Sequence, residues 1–177
     1  VAREPIDRVT TSVISKDHRY EMIDLGLLFR NFHKLDISSG GTGELLIKTG
    51  SKYTHMILDS VADGDTLVQI YGGTTTSDDG TLEPSGNFNF NSSNIAVTTM
   101  YSSPTITDDG TYIARTYMLG GSGSSTPAQA HAAASMQNLD IVLTPNSNFM
   151  VRFTNEAGRD IQVLFEMTFA EREHDAS

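Results

Sequence analysis

The 177-residue chain contains no cysteine, so neither disulfides nor thiolate metal sites contribute to its fold. That suits folding in a reducing cytoplasm. Cations are scarce. Lys and Arg number 12 against 22 Asp and Glu, a formal net charge of −10. Such a surface repels phosphate backbones, and no dense basic patch interrupts it, so nucleic acid is not an expected partner. No apolar run approaches the roughly 18 residues that a membrane helix needs, and no signal-peptide core opens the sequence. Membrane association is therefore not expected either. At this length the chain fits one domain whose core stands without covalent staples.

What is present is a series of short apolar runs separated by clusters of Gly, Asp, Asn, Ser and Pro. From Phe32 onward this spacing predicts an all-β sandwich or barrel. The expected strands are Phe32–Ile37, Glu44–Thr49, Tyr53–Ser60, Thr66–Tyr71, Ile95–Tyr101, Thr111–Leu119, Leu139–Leu143, Phe149–Asn155 and Ile161–Ala170. The last two alternate most clearly. Ile161, Val163, Phe165, Met167 and Phe169 project to one face, opposite Gln162, Glu166 and Thr168. The "NEAGRD" between them reads as a hairpin loop with Gly158 at positive φ. Residues 1–31 are polar and lack a sustained apolar face. Tyr20, Ile23, Leu27 and Leu28 have helical spacing, but Gly26 interrupts it, so an N-terminal arm is expected rather than a free-standing helix. A Gly/Ser/Ala-rich segment at about 120–137 reads as a flexible loop.

Two copies of Asp-Asp-Gly-Thr invite a chemical reading. Asp78-Asp79-Gly80 and Asp108-Asp109-Gly110 sit between β-type runs, thirty residues apart. Asp at the early positions of a type I turn, followed by a left-handed Gly, uses every residue of the motif. A calcium loop needs acceptors at alternate positions and a distant Glu, which neither copy supplies. These are expected to be hairpin corners, with Gly80→Val or Gly110→Val damaging and Asp79→Asn or Asp109→Asn nearly silent. The five His show no metal-ligand spacing, although His33 and His55 are candidates to approach across strands. No nucleophile elbow, phosphate loop or carboxylate pair is evident. The expectation is a non-enzyme without a cofactor, and a β-sandwich hydrolase with a dispersed site ranks last.

"NFNFNSS" is the remaining constellation. Asn87, Asn89 and Asn91 alternate with Phe88 and Phe90. As structure, it reads as an edge strand that buries two aromatics and turns its Asn side chains to water. As function, the same row is a candidate partner contact that pairs with a neighbour's strand or binds sugar.

Read in order, the pieces resemble the head decoration (cement) proteins of tailed bacteriophages and their β-sandwich relatives. The resemblance runs through "ELLIKTG", "KYTHMILDS", "LVQIYGG", the first Asp-Asp-Gly-Thr turn and "NFNFNSS". It continues through "SPTITDDGT", the Gly/Ser loop, "LDIVLTPNSNFMVRFTN" and "IQVLFEMTFAE", covering about 32–171. It implies a jelly-roll-like antiparallel sandwich (32–177) with an extended N-terminal arm (1–31). It also implies a structural protein made in the host cytoplasm and displayed on the capsid exterior. There it would bridge major capsid subunits, as a homo-oligomer and specifically a trimer. The alternative is a carbohydrate- or receptor-binding module of a phage tail or fibre.

Overall fold

The computed structural model describes residues 18–119 and 134–172, which form an all-β sandwich of antiparallel sheets with one short helix. The five-stranded sheet runs in the order β11 (Ala134–Leu143), β3 (Tyr53–Ala62), β13 (Ile161–Arg172), β1 (Leu28–Ile37), β7 (Gly86–Asn87). The six-stranded sheet runs β10 (Thr111–Met118), β4 (Thr66–Gly72), β12 (Asn148–Asn155), β2 (Thr42–Lys48), β8 (Thr99–Ser102), β6 (Thr81–Glu83). A separate ribbon pairs β5 (Thr75–Asp78) with β9 (Thr105–Asp108). Eight of the nine expected strands form near their expected bounds, whereas Ile95–Tyr101 shrinks to β8 because residues 95–98 belong to a loop. The expected arm lies outside the described residues as far as position 17, after which helix α1 (His18–Asp24) and β1 take over. The expected loop lies outside them over 120–133, and residues 134–137 belong to β11.

The packing follows from period-2 alternation. Ile161, Val163, Phe165, Met167 and Phe169 on β13 are each at most 2% exposed. They face Phe149, Val151 and Phe153 of β12 across one core. Phe153 meets Phe165 edge-on at 5.9 Å, and Phe29 stacks on Phe169 at 5.5 Å. Burying each such side chain contributes about 2–3 kcal/mol. Because β12 and β13 bury their apolar faces against each other, they lie in different sheets. "NEAGRD" is therefore an arch between sheets, not the expected hairpin, although Gly158 does take φ 69°. Buried Asn155 fixes the arch. Its amide donates to the Ile37 carbonyl (3.0 Å) and the Arg159 carbonyl (2.7 Å), and its side-chain oxygen accepts from the Ala157 N–H (2.9 Å).

The Asp-Asp-Gly turns hold a second surprise. Both Gly residues are left-handed as expected, at φ 89° for Gly80 and 83° for Gly110. Neither turn closes a hairpin, because the strands on either side of it never pair with each other. β5 and β9 pair together, whereas β6 pairs with β8 and β10 with β4. Each turn is a corner where the ribbon folds back into the six-stranded sheet. The two corners are related by an internal twofold. Thr111 pairs with Gly72, and thirty residues earlier Thr81 pairs with Ser102. The same rotation exchanges β2 with β12, bringing Leu45 onto Phe149 and Lys48 onto Arg152, as their registers with β8 and β4 require. It also brings Gly73 (φ 77°) onto Ser103 (φ 54°).

The chemistry repeats with the geometry. The first Asp of each turn accepts a bond from its own Gly N–H, Asp78 at 2.9 Å and Asp108 at 2.8 Å. The second reaches a cation on a central strand. Asp79 meets Lys48 at 2.7 Å, and Asp109 takes both terminal nitrogens of Arg152 at 2.6 Å. Arg152 also bonds Glu44 at 2.8 Å and lies over the Tyr71 ring. Leu46 and Met150 alternate away from the main core on these two strands, yet neither has exposed surface. On the same face Asp79 and Asp109 reach Lys48 and Arg152, two residues along each strand.

Candidate partner-contact surface

The Asn-rich segment is not an edge strand. Only Asn87 lies in β7, opposite Phe29. Residues 88–98 leave the sheet and wrap the junction between α1 and β1. The reason is an unmet need at the helix end, where the last carbonyls have no intrahelical partner. The Asn89 amide donates to the Asp24 carbonyl at 3.1 Å. Asn87 donates to Gly26 at 3.0 Å, and Asn94 donates to Leu25 and Gly26 at 3.2 Å each. Asn87 and Asn89 also accept from the N–H groups of Asn89 (2.8 Å) and Asn91 (3.0 Å), folding the loop into successive Asx turns. The expectation that these side chains face water is thus reversed for Asn87 and Asn89. Asn91 itself is exposed.

The two aromatics separate as well. Phe88 tucks against Met22, Leu28 and Ala170 on the outer face of the five-stranded sheet, with Arg19 over its ring. Phe90 points to solvent and is 97% exposed. Ile95, on the same loop, is 86% exposed, and Leu25 beside it is also exposed. A cleft of about 230 Å³ runs alongside, lined by Phe29, Leu82, Pro84, Ile95 and Ala96 among others.

The loop is held at its far end by buried Glu171. Its carboxylate accepts from the Val97 N–H (2.9 Å) and the Thr98 N–H (2.6 Å). Gly26 is required at the near end. At φ 66° it is left-handed, and any β-carbon there would collide with Ser92. Gly26, Asn94, Ile95 and Glu171 escape sequence reasoning because each acts through a neighbour distant in the chain. The Asn spacing alone could have hinted at consecutive Asx turns.

Among the described residues, no group of three or more His, Cys, Asp or Glu side chains is placed to hold a metal ion. His33 and His55 do not approach. They lie on β1 and β3 with β13 between, and His33 bonds Glu83 at 3.0 Å. Asp78, Asp79, Asp108 and Asp109 are spent on the corners and central cations described above. No protein-family model matches this chain, and no curated protein matches it.

Proposed function

We propose that the protein is a structural virion protein of a tailed phage, decorating the capsid exterior as a trimer and bridging major capsid subunits. The observation that carries this reading is the pinned loop with two bare apolar side chains at its surface. Phe90 and Ile95 are almost wholly exposed, although their loop is fixed by Asn amides, Gly26 and Glu171. Leaving such side chains in water forgoes about 2–3 kcal/mol each, which burial against a partner recovers. A loop ordered beforehand loses little entropy on docking. Several copies engaging one shell at once turn modest contacts into firm attachment. The acidic surface keeps free copies apart and off the packaged DNA.

The test uses heads of the encoding phage that lack this protein. Wild-type protein should co-sediment saturably with them and raise their disruption temperature. The double variant Phe90→Ala/Ile95→Ala should bind at least about 100-fold more weakly at unchanged Tm. Wild-type protein that stays in the supernatant at every concentration overturns the reading.

A further inference from the structure

A second surface opens at the end of the six-stranded sheet, where β4 runs into the ribbon. A cleft of about 470 Å³ lies between the Gly72–Thr75 turn, the start of β10 and the 144–149 connection. This is within the size range of small-molecule sites. Its lining includes hydroxyl and amide side chains and no ionisable one, in a chain that is 19% charged. That composition excludes recognition by ion pairing and leaves neutral groups that both donate and accept hydrogen bonds.

Several of those groups are available. Among the described residues the Asn146 amide and the Thr111 hydroxyl have no partner. Asn148 donates its amide to the Thr74 carbonyl at 3.2 Å, which leaves its side-chain oxygen to accept. Asn146 is held in place, left-handed at φ 52°, by its N–H bond to the Gly50 carbonyl at 2.8 Å. The floor is apolar. Ile113 and Phe149 meet over Gly72, where a β-carbon would touch both. Above Gly73 a β-carbon would meet nothing within 4 Å, so this glycine borders open space.

The internal twofold supplies a control. At the related corner Ser102, Ser103 and Pro104 replace Gly72, Gly73 and Thr74, and Glu83 lies opposite Met100 with no bulge to match Ile113. There Ser102 donates to Glu83 at 2.5 Å and Glu83 bonds His33. That corner is ionic, and its strand β6 stays in register where β10 bulges at Ile113. The apolar floor therefore belongs to this corner alone, where the β10 bulge places Ile113 beside Phe149.

We propose that this cleft binds the uncharged ring of a saccharide. Amide and hydroxyl groups take its hydroxyls, and Ile113 and Phe149 take its C–H face. This site lies on a different part of the molecule from the Phe90 loop and does not depend on it.

The experiment titrates the full chain with mannose, galactose, N-acetylglucosamine and their short oligomers, followed by NMR amide shifts. Saturable shifts centred on Gly73, Thr111 and Asn146 are expected for at least one of these sugars. Gly73→Asn, which tolerates the left-handed backbone, fills the opening. Asn146→Gly removes the amide without straining φ. Each should weaken binding about tenfold or more at unchanged Tm. Ser103→Asn at the related corner should leave affinity unchanged. No saturable shift with any of these sugars overturns the proposal. So does tighter binding of sialylated or sulfated analogues, shifts confined to the Phe90 loop, or equal affinity in Gly73→Asn. Capsid binding through Phe90 can survive each of those results.

Discussion

Gly80 and Gly110 are the least replaceable small residues in the corners. Each needs a left-handed backbone, and each packs so closely on a neighbouring strand that a β-carbon would collide with a carbonyl oxygen, Ser102 for Gly80 and Gly72 for Gly110. Gly110→Val should cost about 2–4 kcal/mol, read as a lower urea midpoint at constant slope. The neighbouring Asp residues each hold a cation that the turn motif alone does not call for, so their replacement should not be silent. The Arg152 guanidinium, by hydrogen bonding, holds the Asp109 carboxyl below its ordinary pKa. Lys48 and then Thr76 do the same for Asp79. A folded-state pKa below the unfolded value means that the stabilisation is complete above about pH 5 and is lost as pH falls through the folded values. With these side chains 33% and 42% exposed, solvent screening limits each pair to about 0.5–1 kcal/mol. Asp79→Asn/Asp109→Asn should therefore lower Tm at pH 7 and flatten the acid limb of the stability profile. An unchanged acid limb would count against the ion pairs.

At the scale of elements, the loop over 88–98 depends on one buried carboxylate. Glu171→Ala leaves the Val97 and Thr98 N–H groups without their acceptor and should cost about 2 kcal/mol. Glu171→Gln keeps the shape and weakens the bonds, so amide exchange at Val97 and Thr98 should quicken while β13 stays protected. Exchange unchanged at both amides would refute this anchoring role. Long strands were legible because alternation over five or more residues is a local signal, as in Ile161–Phe169. The short strands β5, β6, β7 and β9 carry too few residues to show a period. Helix α1 escaped for a related reason. Its seven residues bury chiefly Met22, and its end is completed by Asn side chains more than sixty residues away.

Across the whole molecule, one core joins the two sheets through Phe153 and Phe165. Phe165→Ala should cost about 3–5 kcal/mol and lower the stability of the entire domain, seen as a drop in both unfolding midpoint and Tm. A loss confined to part of the exchange-protected amides would mean that the sheets unfold separately. Charge, the missing thiols and the alternating runs determined that this chain folds as an acidic, disulfide-free β-sandwich, since each of those is a property of composition or of neighbours along the strand. The Asp-Asp-Gly motif also made Gly80 and Gly110 left-handed, because it specifies its own backbone, whereas Gly26 and Gly73 turn left-handed in contexts no motif marks. Strand partners were decided only in the tertiary structure. "LLIK" and "FMVR" are related by the internal twofold, yet they share chemistry and not identity, so the symmetry is visible only once their registers are known. The same holds for the Asn residues. An amide alternating with phenylalanine looks solvent-facing along a strand, but unpaired carbonyls at the end of α1 draw it inward and leave Phe90 outside.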